Sequence, residues 1–306
     1  MMNAFPDLAL EIAGVRFKNP VMPASGCFGS GQEYSEYVDL NRLGAVVTKG
    51  VSLTPWEGNP VPRTAETCGG MLNSIGLQNP GIDLFIERDL EFLKGFDTNV
   101  IVNVCGHTEA EYLGVVERLS DEDRVDMLEI NVSCPNVSKG AIAFGRDPKV
   151  LEDLTKAIRA HTKKPVIIKL TPNVSDITVT AKAAEQGGAD AVSLINTLLG
   201  MKIDIEKGTF ALANRTGGLS GPAIHPIAVR MVYETSRAIS VPVIGMGGIT
   251  CGDDAVEMLM AGASAVAVGS ATFNDPGTLI KVIDGIEAYM KRKGIASLKE
   301  IRLRPA

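Results

Sequence analysis

The chain has 306 residues, of which 45% are hydrophobic and 22% are charged, and it contains 32 glycines. This composition allows a large buried core and many tight turns, as in a globular α/β enzyme. The net charge of −6 argues against a nucleic-acid or anionic-membrane surface, although it leaves room for a compact cationic site that binds a small anion. The length fits either two domains or one (β/α) barrel.

The five cysteines are dispersed, and no pair has the spacing of a zinc or iron–sulfur site. The three histidines are also scattered, so we expect reduced thiols and no metal ion. Residues 1–17 lack the basic start and apolar run of a secretory signal, and no stretch has the length of a membrane span. We therefore expect a cytoplasmic protein with no membrane or nucleic-acid partner.

The predicted elements begin with a short hairpin, residues 8–12 and 15–17, which we expect to plug one end of the main fold. Eight apolar segments with strand character follow, and most are separated by helical patterns. The segments are residues 20–24, 45–48, 100–104, 127–132, 166–170, 191–195, 243–246 and 265–268. The clearest helical patterns are residues 150–161, 177–186, 228–238, 253–261 and 278–293.

Alternation of strands and helices predicts a parallel sheet. Eight strands favour a closed (β/α)8 TIM barrel over an open doubly wound sheet. We predict that residues 1–306 form a single domain of this α/β class, with an N-terminal hairpin and two long inserts over the C-terminal face of the strands. The inserts are residues 51–98 and 196–226, and the second contains a predicted hairpin, residues 202–205 and 209–212. Loops this long are usually functional.

Polar residues lie at or just after the ends of six predicted strands. Because the active sites of such barrels lie at the carboxyl ends of the strands, we expect these side chains to converge. Taken singly, each could also be a helix cap or a solvated lysine. A lysine at the end of an apolar strand is unfavourable to bury without an anionic partner, so two of them imply bound anions. The residues are Ser25, Lys49, Asn103, Asn131, Cys134, Lys169, Asn196 and Thr197.

Cys134 follows a strand pattern in the stretch EINVSCPN, residues 129–136. Pro135 disfavours helical geometry at Cys134, which fixes the thiol at the exit turn of the strand. A lone cysteine is usually inert packing. The polar neighbours instead favour a reactive group at this position.

Glycine-rich segments follow the seventh and eighth strands, GMGGI at residues 245–249 and VGS at residues 268–270. Free N–H groups after these two strands commonly hold a phosphate in a barrel, although tight packing turns have the same composition. Neither GMGGI nor the earlier glycine-rich segment GCFGSG, residues 26–31, has the glycine spacing of a dinucleotide fingerprint. The sequence therefore predicts a phosphate-bearing ligand other than a dinucleotide held by a Rossmann fold.

Four motifs together resemble the class 1 dihydroorotate dehydrogenases: NVSCPN (131–136), NSIGLQN (73–79), TKG (48–50) and GGLSG (217–221). The resemblance covers essentially the whole chain. Two further segments, AFGRDP (143–148) and SGPAIHP (220–226), look more like the class 1B catalytic subunit than the fumarate-linked class 1A enzymes.

The resemblance implies that FMN oxidises dihydroorotate to orotate in pyrimidine (UMP) biosynthesis, with Cys134 as the base that removes the C5 proton. It places the following residues around FMN: Ser25, Lys49, Gly50, Asn103, Asn131, Lys169, Ile195, Gly221, Gly247, Gly248, Gly269 and Ser270. It assigns the following residues to the substrate: Lys49, Asn73, Ser74, Ile75, Gly76, Leu77, Asn131, Asn196 and Thr197.

The resemblance also implies a partner subunit carrying FAD and a 2Fe–2S cluster, which passes electrons to NAD+, and a heterotetramer built on a homodimer of this chain. Three alternatives remain open. The chain could be a class 1A enzyme that uses fumarate, a flavoenzyme of the dihydropyrimidine dehydrogenase type, or a noncatalytic flavin-binding scaffold.

Overall fold

A computed structural model describes residues 6–133 and 144–303. Sixteen strands lie in this part of the chain, numbered here in chain order. They are β1 Leu10–Ile12, β2 Val15–Phe17, β3 Val21–Pro23, β4 Ala45–Val47, β5 Thr64–Thr67, β6 Gly70–Asn73, β7 Asn99–Val104, β8 Met127–Asn131, β9 Val166–Lys169, β10 Ala191–Leu194, β11 Leu198–Met201, β12 Ile203–Asp204, β13 Thr209–Phe210, β14 Thr216–Ser220, β15 Val243–Met246 and β16 Ala265–Val268.

Eight of these strands form one parallel sheet in the order β3-β16-β15-β10-β9-β8-β7-β4. The first and last strands of this order, β3 and β4, are joined by a hydrogen bond: Gly44 N–H, just before β4, donates to Val21 O of β3 at 3.0 Å. The sheet is therefore nearly closed, which confirms the predicted (β/α)8 barrel. All eight predicted strand segments are present, and no bound differs by more than one residue.

Side chains on each barrel strand alternate between the interior and the surrounding helices, as the pleat of a strand requires. Val100 and Val102 belong to the outer core between strands and helices. Ile101 belongs to the inner cluster, together with Ile12 and Phe17 of the hairpin β1–β2. The hairpin therefore seals one end of the barrel with apolar side chains, as predicted from the sequence.

The helices lie between successive barrel strands, and several begin at a residue whose side chain caps the first turn. Asp147 accepts from Lys149 N and Val150 N, Asp176 accepts from Thr178 N, and Thr108 accepts from Glu111 N. The helices are α1 Ile82–Leu84, α2 Glu91–Leu93, α3 Glu109–Ser120, α4 Pro148–His161, α5 Ile177–Gln186, α6 His225–Ala238, α7 Gly252–Ala261, α8 Ala271–Asn274 and α9 Thr278–Lys293, with a π-helical segment Phe85–Leu90 between α1 and α2. No helix in the described ranges is long and apolar enough to cross a membrane.

The two long inserts meet in one antiparallel sheet of order β11-β14-β6-β5. Its central pairing joins Gly218 to Asn73 and Ser220 to Met71, so residues far apart in the chain become neighbours. The sequence predicted both inserts but not their shared sheet, because neither insert alone shows which strand its edges will pair with. The predicted hairpin in the second insert is present but shorter, as β12 and β13 pair over two residues each.

Helices α7 and α9 touch through glycine. A methyl group added to Gly285 would lie 2.8 Å from Gly252 Cα, well inside van der Waals contact. Glycine within a helix is unfavourable by roughly 0.5–1 kcal/mol relative to alanine, so Gly285 needs a packing reason. The close approach of the two helix backbones supplies that reason.

We predict that Gly285→Ala destabilises the fold by about 1–3 kcal/mol, because the added methyl group forces the two helices apart. Gly95→Ala is the matched control, since its methyl group would lie 3.5 Å from Phe92 O in ordinary contact. Urea unfolding followed by circular dichroism measures both free energies of unfolding. Equal values for the two variants would contradict the packing role.

Candidate active site

The inner face of the barrel changes from apolar to polar toward the carboxyl ends of four adjacent strands, β7 to β10. Ile101, Met127, Ile167 and Ala191 belong to the apolar inner cluster near the hairpin. Two residues further along their strands come polar side chains, all buried. These side chains are Asn103, Glu129, Lys169 and Ser193.

Glu129 lies at the centre of this polar layer. Asn103 Nδ2 donates to Glu129 Oε2 at 2.6 Å, and Ser193 Oγ donates to Glu129 Oε1 at 2.7 Å. Lys169 Nζ lies 3.7 Å from Glu129 Oε2, with 5% and 3% of the two side chains exposed. A buried carboxylate is tolerated only with such partners. Glu129 therefore supplies an anionic partner for Lys169 within the chain, so burial of Lys169 does not by itself require a bound anion, contrary to the sequence-based expectation.

Two polar atoms of this layer keep unused hydrogen-bonding capacity. Asn103 Oδ1 is buried and accepts no hydrogen bond within the described residues. Lys169 Nζ has its ion pair with Glu129 but donates no hydrogen bond in the same part of the chain. Buried polar groups are nearly always satisfied, so Asn103 Oδ1 indicates a polar ligand at the carboxyl end of the barrel, beside the Lys169 ammonium.

Lys49 reaches the same region from the turn after β4. Burial lowers the pKa of its ammonium group, and the charge of Lys169 lowers it further, whereas Cys105 and Cys27 oppose this change. No carboxylate pairs with Lys49 in residues 6–133 and 144–303. A cavity of about 150 Å³ adjoins Lys49 and Gly50. Within the described residues, Lys49 is therefore the lysine of this site that has no anionic partner.

Cys27 is a further group of this site that the sequence did not single out. Burial raises the pKa of its thiol to about 11, although the nearby Lys169 and Lys49 ammonium groups lower it in part. A methyl group added to Gly269 would lie 3.7 Å from Cys27 Sγ. Cys27 thus lies between the two lysines and the turn after β16.

Asn131 and Asn196 meet across the mouth of the barrel. Asn196 Nδ2 donates to Asn131 Oδ1 at 3.4 Å, and Asn131 lies beside Lys169 in the register of β8 and β9. Thr197 follows, and a methyl group added to Gly218 would collide with Thr197 Oγ1. These predicted substrate residues are therefore brought together, with Asn131 next to the polar layer.

The loop from Asn73 to Leu77 is held by hydrogen bonds to neighbouring segments of the inserts. Asn59 N donates to Ile75 O at 3.0 Å, and Asn59 Nδ2 donates to Ser74 Oγ at 3.0 Å. Gly76 has φ +76° and Leu77 has φ +52°, so the backbone turns in the left-handed region at both. The N–H groups of Gly76 and Leu77 donate to no acceptor in the described chain. The fixed loop thus offers main-chain donors.

Asn73 and Gly50 place this loop against the rest of the site. Asn73 Nδ2 donates to Gly218 O at 3.4 Å. A methyl group added to Gly50 would lie 3.0 Å from Asn103 Oδ1 and 3.7 Å from Leu77 Cδ2. Gly50 therefore lies between the loop and the polar layer, and a larger residue there would crowd Asn103.

The turn after β15 is packed against the start of α6. Gly247 has φ +132° and Gly248 has φ +68°. A methyl group on Gly248 would lie 2.7 Å from His225 Cβ and 2.8 Å from Gly221 O. His225 Nδ1 lies 2.8 Å from Gly247 O, which fixes the turn further. Gly247 and Gly248 can therefore serve both tight packing and the exposure of main-chain N–H groups.

Four main-chain N–H groups at the ends of β15 and β16 have no acceptor among the described residues. A methyl group on Gly247 would lie 3.4 Å from Ile195 Cγ1, so this predicted FMN residue borders the same turn. Ser25, half-buried on the turn after β3, has no described contact with another predicted site residue. Unused N–H groups on two adjacent turns form a suitable cradle for a phosphate. They belong to Gly247, Gly248, Gly269 and Ser270.

Cys134, the predicted catalytic base, lies outside the described residues. The sequence also missed the roles of Glu129, Ser193 and Cys27 in the site. Glu129 could have been found by its inward position, since Asn103, Glu129 and Lys169 each stand two residues beyond an inward apolar residue. Cys27 carries no such signal, because it lies in a turn.

Comparisons with known proteins agree with this geometry. A family model described as dihydroorotate dehydrogenase matches residues 7–290. A protein of Lachnoclostridium phytofermentans named "Dihydroorotate dehydrogenase B (NAD(+)), catalytic subunit" is 64% identical over 95% of this chain and 97% of its own. Proteins of the same name from Alkaliphilus metalliredigens and Geobacter sulfurreducens are 60% and 55% identical, each over 97% of this chain and over 98% and 97% of their own.

The match spans nearly the full length of these relatives and the whole barrel, including every motif from the Lys49 turn to the glycine turn after β16. The chain therefore belongs to the dihydroorotate dehydrogenase family of oxidoreductases, among the class 1B, NAD(+)-linked catalytic subunits.

Proposed function

We propose that residues 1–306 form one FMN-binding domain that oxidises dihydroorotate to orotate in UMP biosynthesis. The observation that carries this proposal is Lys169, a buried ammonium group at the mouth of the barrel that donates no hydrogen bond within the described residues. Bound FMN would supply, at its N5 atom, the acceptor for the C6 hydride. Lys169 would stabilise the negative charge that develops on the ring system.

The chain fits FMN at both ends of the cofactor. The free N–H groups of Gly247, Gly248, Gly269 and Ser270 would hold the phosphate. Asn103 Oδ1, buried without a donor, would accept from a polar edge of the ring. The remaining proposed contacts come from residues bordering these two regions: Ser25, Lys49, Gly50, Asn131, Ile195 and Gly221.

Orotate carries a carboxylate and ureide groups, so it needs one cation and several amide-like partners. Lys49 supplies a cation that has no carboxylate partner in the described chain. Asn131, Asn196 and Thr197 lie on one side, and the Asn73 to Leu77 loop offers main-chain donors on the other. This arrangement favours a carboxylate-bearing substrate over a neutral pyrimidine.

We assign the C5 proton to Cys134 on the resemblance of NVSCPN to the family motif. Cys27 is unsuitable as the base, because burial raises the pKa of its thiol to about 11 and keeps it protonated at neutral pH.

The name of the relatives as a catalytic subunit supports a separate electron-transfer subunit. We propose that this partner carries FAD and a 2Fe–2S cluster, receives electrons from the chain's FMN and reduces NAD+. We further propose a heterotetramer built on a homodimer of this chain, working in the cytoplasm.

For the proposed function, the first prediction concerns the whole reaction. Copurified with the proposed electron-transfer subunit, the chain is expected to carry FMN and to reduce NAD+ when dihydroorotate is added. Without the partner subunit, dihydroorotate is expected to bleach the flavin absorbance of the chain, but NAD+ is not reduced. Absorbance at the flavin band and at the NADH band follows both steps.

The alternatives give different results in the same assay. Fumarate reduction by the chain alone would identify class 1A chemistry. Oxidation of dihydrouracil in place of dihydroorotate would identify the dihydropyrimidine dehydrogenase type. Flavin that no dihydropyrimidine reduces would indicate a noncatalytic scaffold.

The second prediction tests Cys134. Cys134→Ala is expected to lower turnover by about 10²–10⁴, the usual contribution of a positioned base, while FMN content stays unchanged. The rate of flavin reduction in the wild type is expected to rise with pH as the thiolate forms, since an ordinary thiol has a pKa of about 8.5. Stopped-flow flavin reduction measures the rate, and the exposed Cys68→Ser is the control. Near-full turnover in Cys134→Ala would remove the assignment.

The third prediction concerns Lys49. Its ammonium form binds the orotate carboxylate, and burial lowers the pKa of that ammonium group. Orotate affinity is therefore expected to fall as pH rises, beginning at a lower pH than for an ordinary lysine. Lys49→Met is expected to weaken orotate binding by at least about tenfold at neutral pH and to abolish this pH dependence.

Isothermal titration calorimetry of FMN-loaded protein with orotate, from neutral pH to about pH 10, measures this effect. Lys207→Met is the control, because Lys207 is an exposed lysine paired with Asp204 on the β12–β13 hairpin. An orotate affinity that stays constant over this pH range in the wild type would contradict the role of Lys49.

A further inference from the structure

Glu129 is the one carboxylate of the described polar layer, and the reaction outlined above gives it no task. It holds partners on three neighbouring strands: Asn103 on β7, Lys169 on β9 and Ser193 on β10. Only 3% of its side chain is exposed. Replacement of a buried ion pair by apolar residues is often neutral or stabilising, so stability alone does not explain why this pair is present.

The geometry of the partners shows what Glu129 controls. The Asn103 amide donates through Nδ2 to Glu129. This orientation points Oδ1 away from Glu129, to a place where no described residue donates to it. The Lys169 ammonium is 3.7 Å from the carboxylate, close enough for charge attraction but too far for a good hydrogen bond. Within the described residues the Lys169 ammonium therefore donates no hydrogen bond. Glu129 fixes both residues and leaves Asn103 Oδ1 and the Lys169 ammonium without a hydrogen-bond partner in the same part of the chain.

The carboxylate also changes the charge that a ligand meets. Lys169 and Lys49 influence each other electrostatically, so the site has two neighbouring cations. Glu129 is ion-paired with Lys169, whereas Lys49 has no such partner in the described ranges. The negative charge of Glu129 therefore offsets the positive charge of Lys169 more than that of Lys49.

We propose that Glu129 is a positioning residue for Lys169 and Asn103, and that its charge lowers the reduction potential of the FMN by offsetting the Lys169 ammonium. The inference rests on the FMN-binding part of the proposed function, not on the identity of the substrate. Reduced flavin carries additional negative charge, so a cation beside it raises the potential and an anion beside that cation lowers it.

The test measures the FMN reduction potential by chemical reduction with a reference dye, which needs no dihydroorotate. Glu129→Gln keeps the size of the side chain and removes its charge. We expect its equilibrium constant for flavin reduction to rise at least tenfold, equivalent to about 30 mV for a two-electron couple. Lys169→Met is expected to change the constant at least tenfold in the opposite direction.

Two further variants complete the design. Glu152→Gln removes the carboxylate of a surface pair with Lys156 on α4 and is expected to leave the potential unchanged. Ser193→Ala keeps the Glu129 charge but removes one donor to it, and is expected to make reduction about two- to threefold less favourable. If Glu129→Gln does not fold, the Ser193→Ala shift alone decides the question.

An unchanged potential in Glu129→Gln, or a shift in the same direction as Lys169→Met, would overturn the inference. So would an unchanged potential in Ser193→Ala where Glu129→Gln is not obtained folded. Wild-type protein that binds FMN but is not reduced by dihydroorotate would contradict the proposed reaction and leave the potential measurement valid. Wild-type protein that binds no FMN would overturn both.

Discussion

The site depends on the pleat of a closed barrel, which points every second side chain of each strand into the same interior. That interior has to be filled, and at the hairpin end it is filled by apolar residues such as Ile12, Phe17 and Ile101. Two residues further along β7 to β10, the same inward direction carries Asn103, Glu129, Lys169 and Ser193. One geometric rule therefore produces both the sealed end and the reactive end, and the chemistry can lie only where the apolar layer stops.

Within the polar layer, charge decides which groups can face a ligand. Within the described residues, Lys169 has Glu129 as its counter-charge but donates no hydrogen bond, whereas Lys49 has no carboxylate partner. The two lysines thus differ in whether a carboxylate of the described chain neutralises them. Lys169 suits a group whose charge changes during the reaction, and Lys49 suits a ligand with a permanent negative charge. This division fits a flavin ring and a carboxylate substrate.

Much of this arrangement could be predicted from the sequence, because strands and inward positions have short periods that a single chain reveals. The eight strands, the end hairpin and the convergence of Lys49, Asn103, Asn131 and Lys169 follow from such patterns. The Glu129 pairing could not be predicted with the same ease, since it requires the register of β7 to β10. The shared sheet of the two inserts was missed for a related reason: the edge pairing of a strand depends on a partner more than a hundred residues away.

That shared sheet links the two halves of the site through one strand. At the middle of β14, Gly218 O accepts from Asn73 Nδ2, and Gly218 packs against Thr197. Asn73 and Thr197 both belong to the proposed substrate side. Just beyond its end, Gly221 lies against Gly248 of the proposed phosphate turn. A side chain at Gly218 would collide with Thr197, and one at Gly221 would collide with Gly70 of β6. The insert sheet therefore packs closely against both regions, and the positions of the proposed substrate and cofactor residues are not independent.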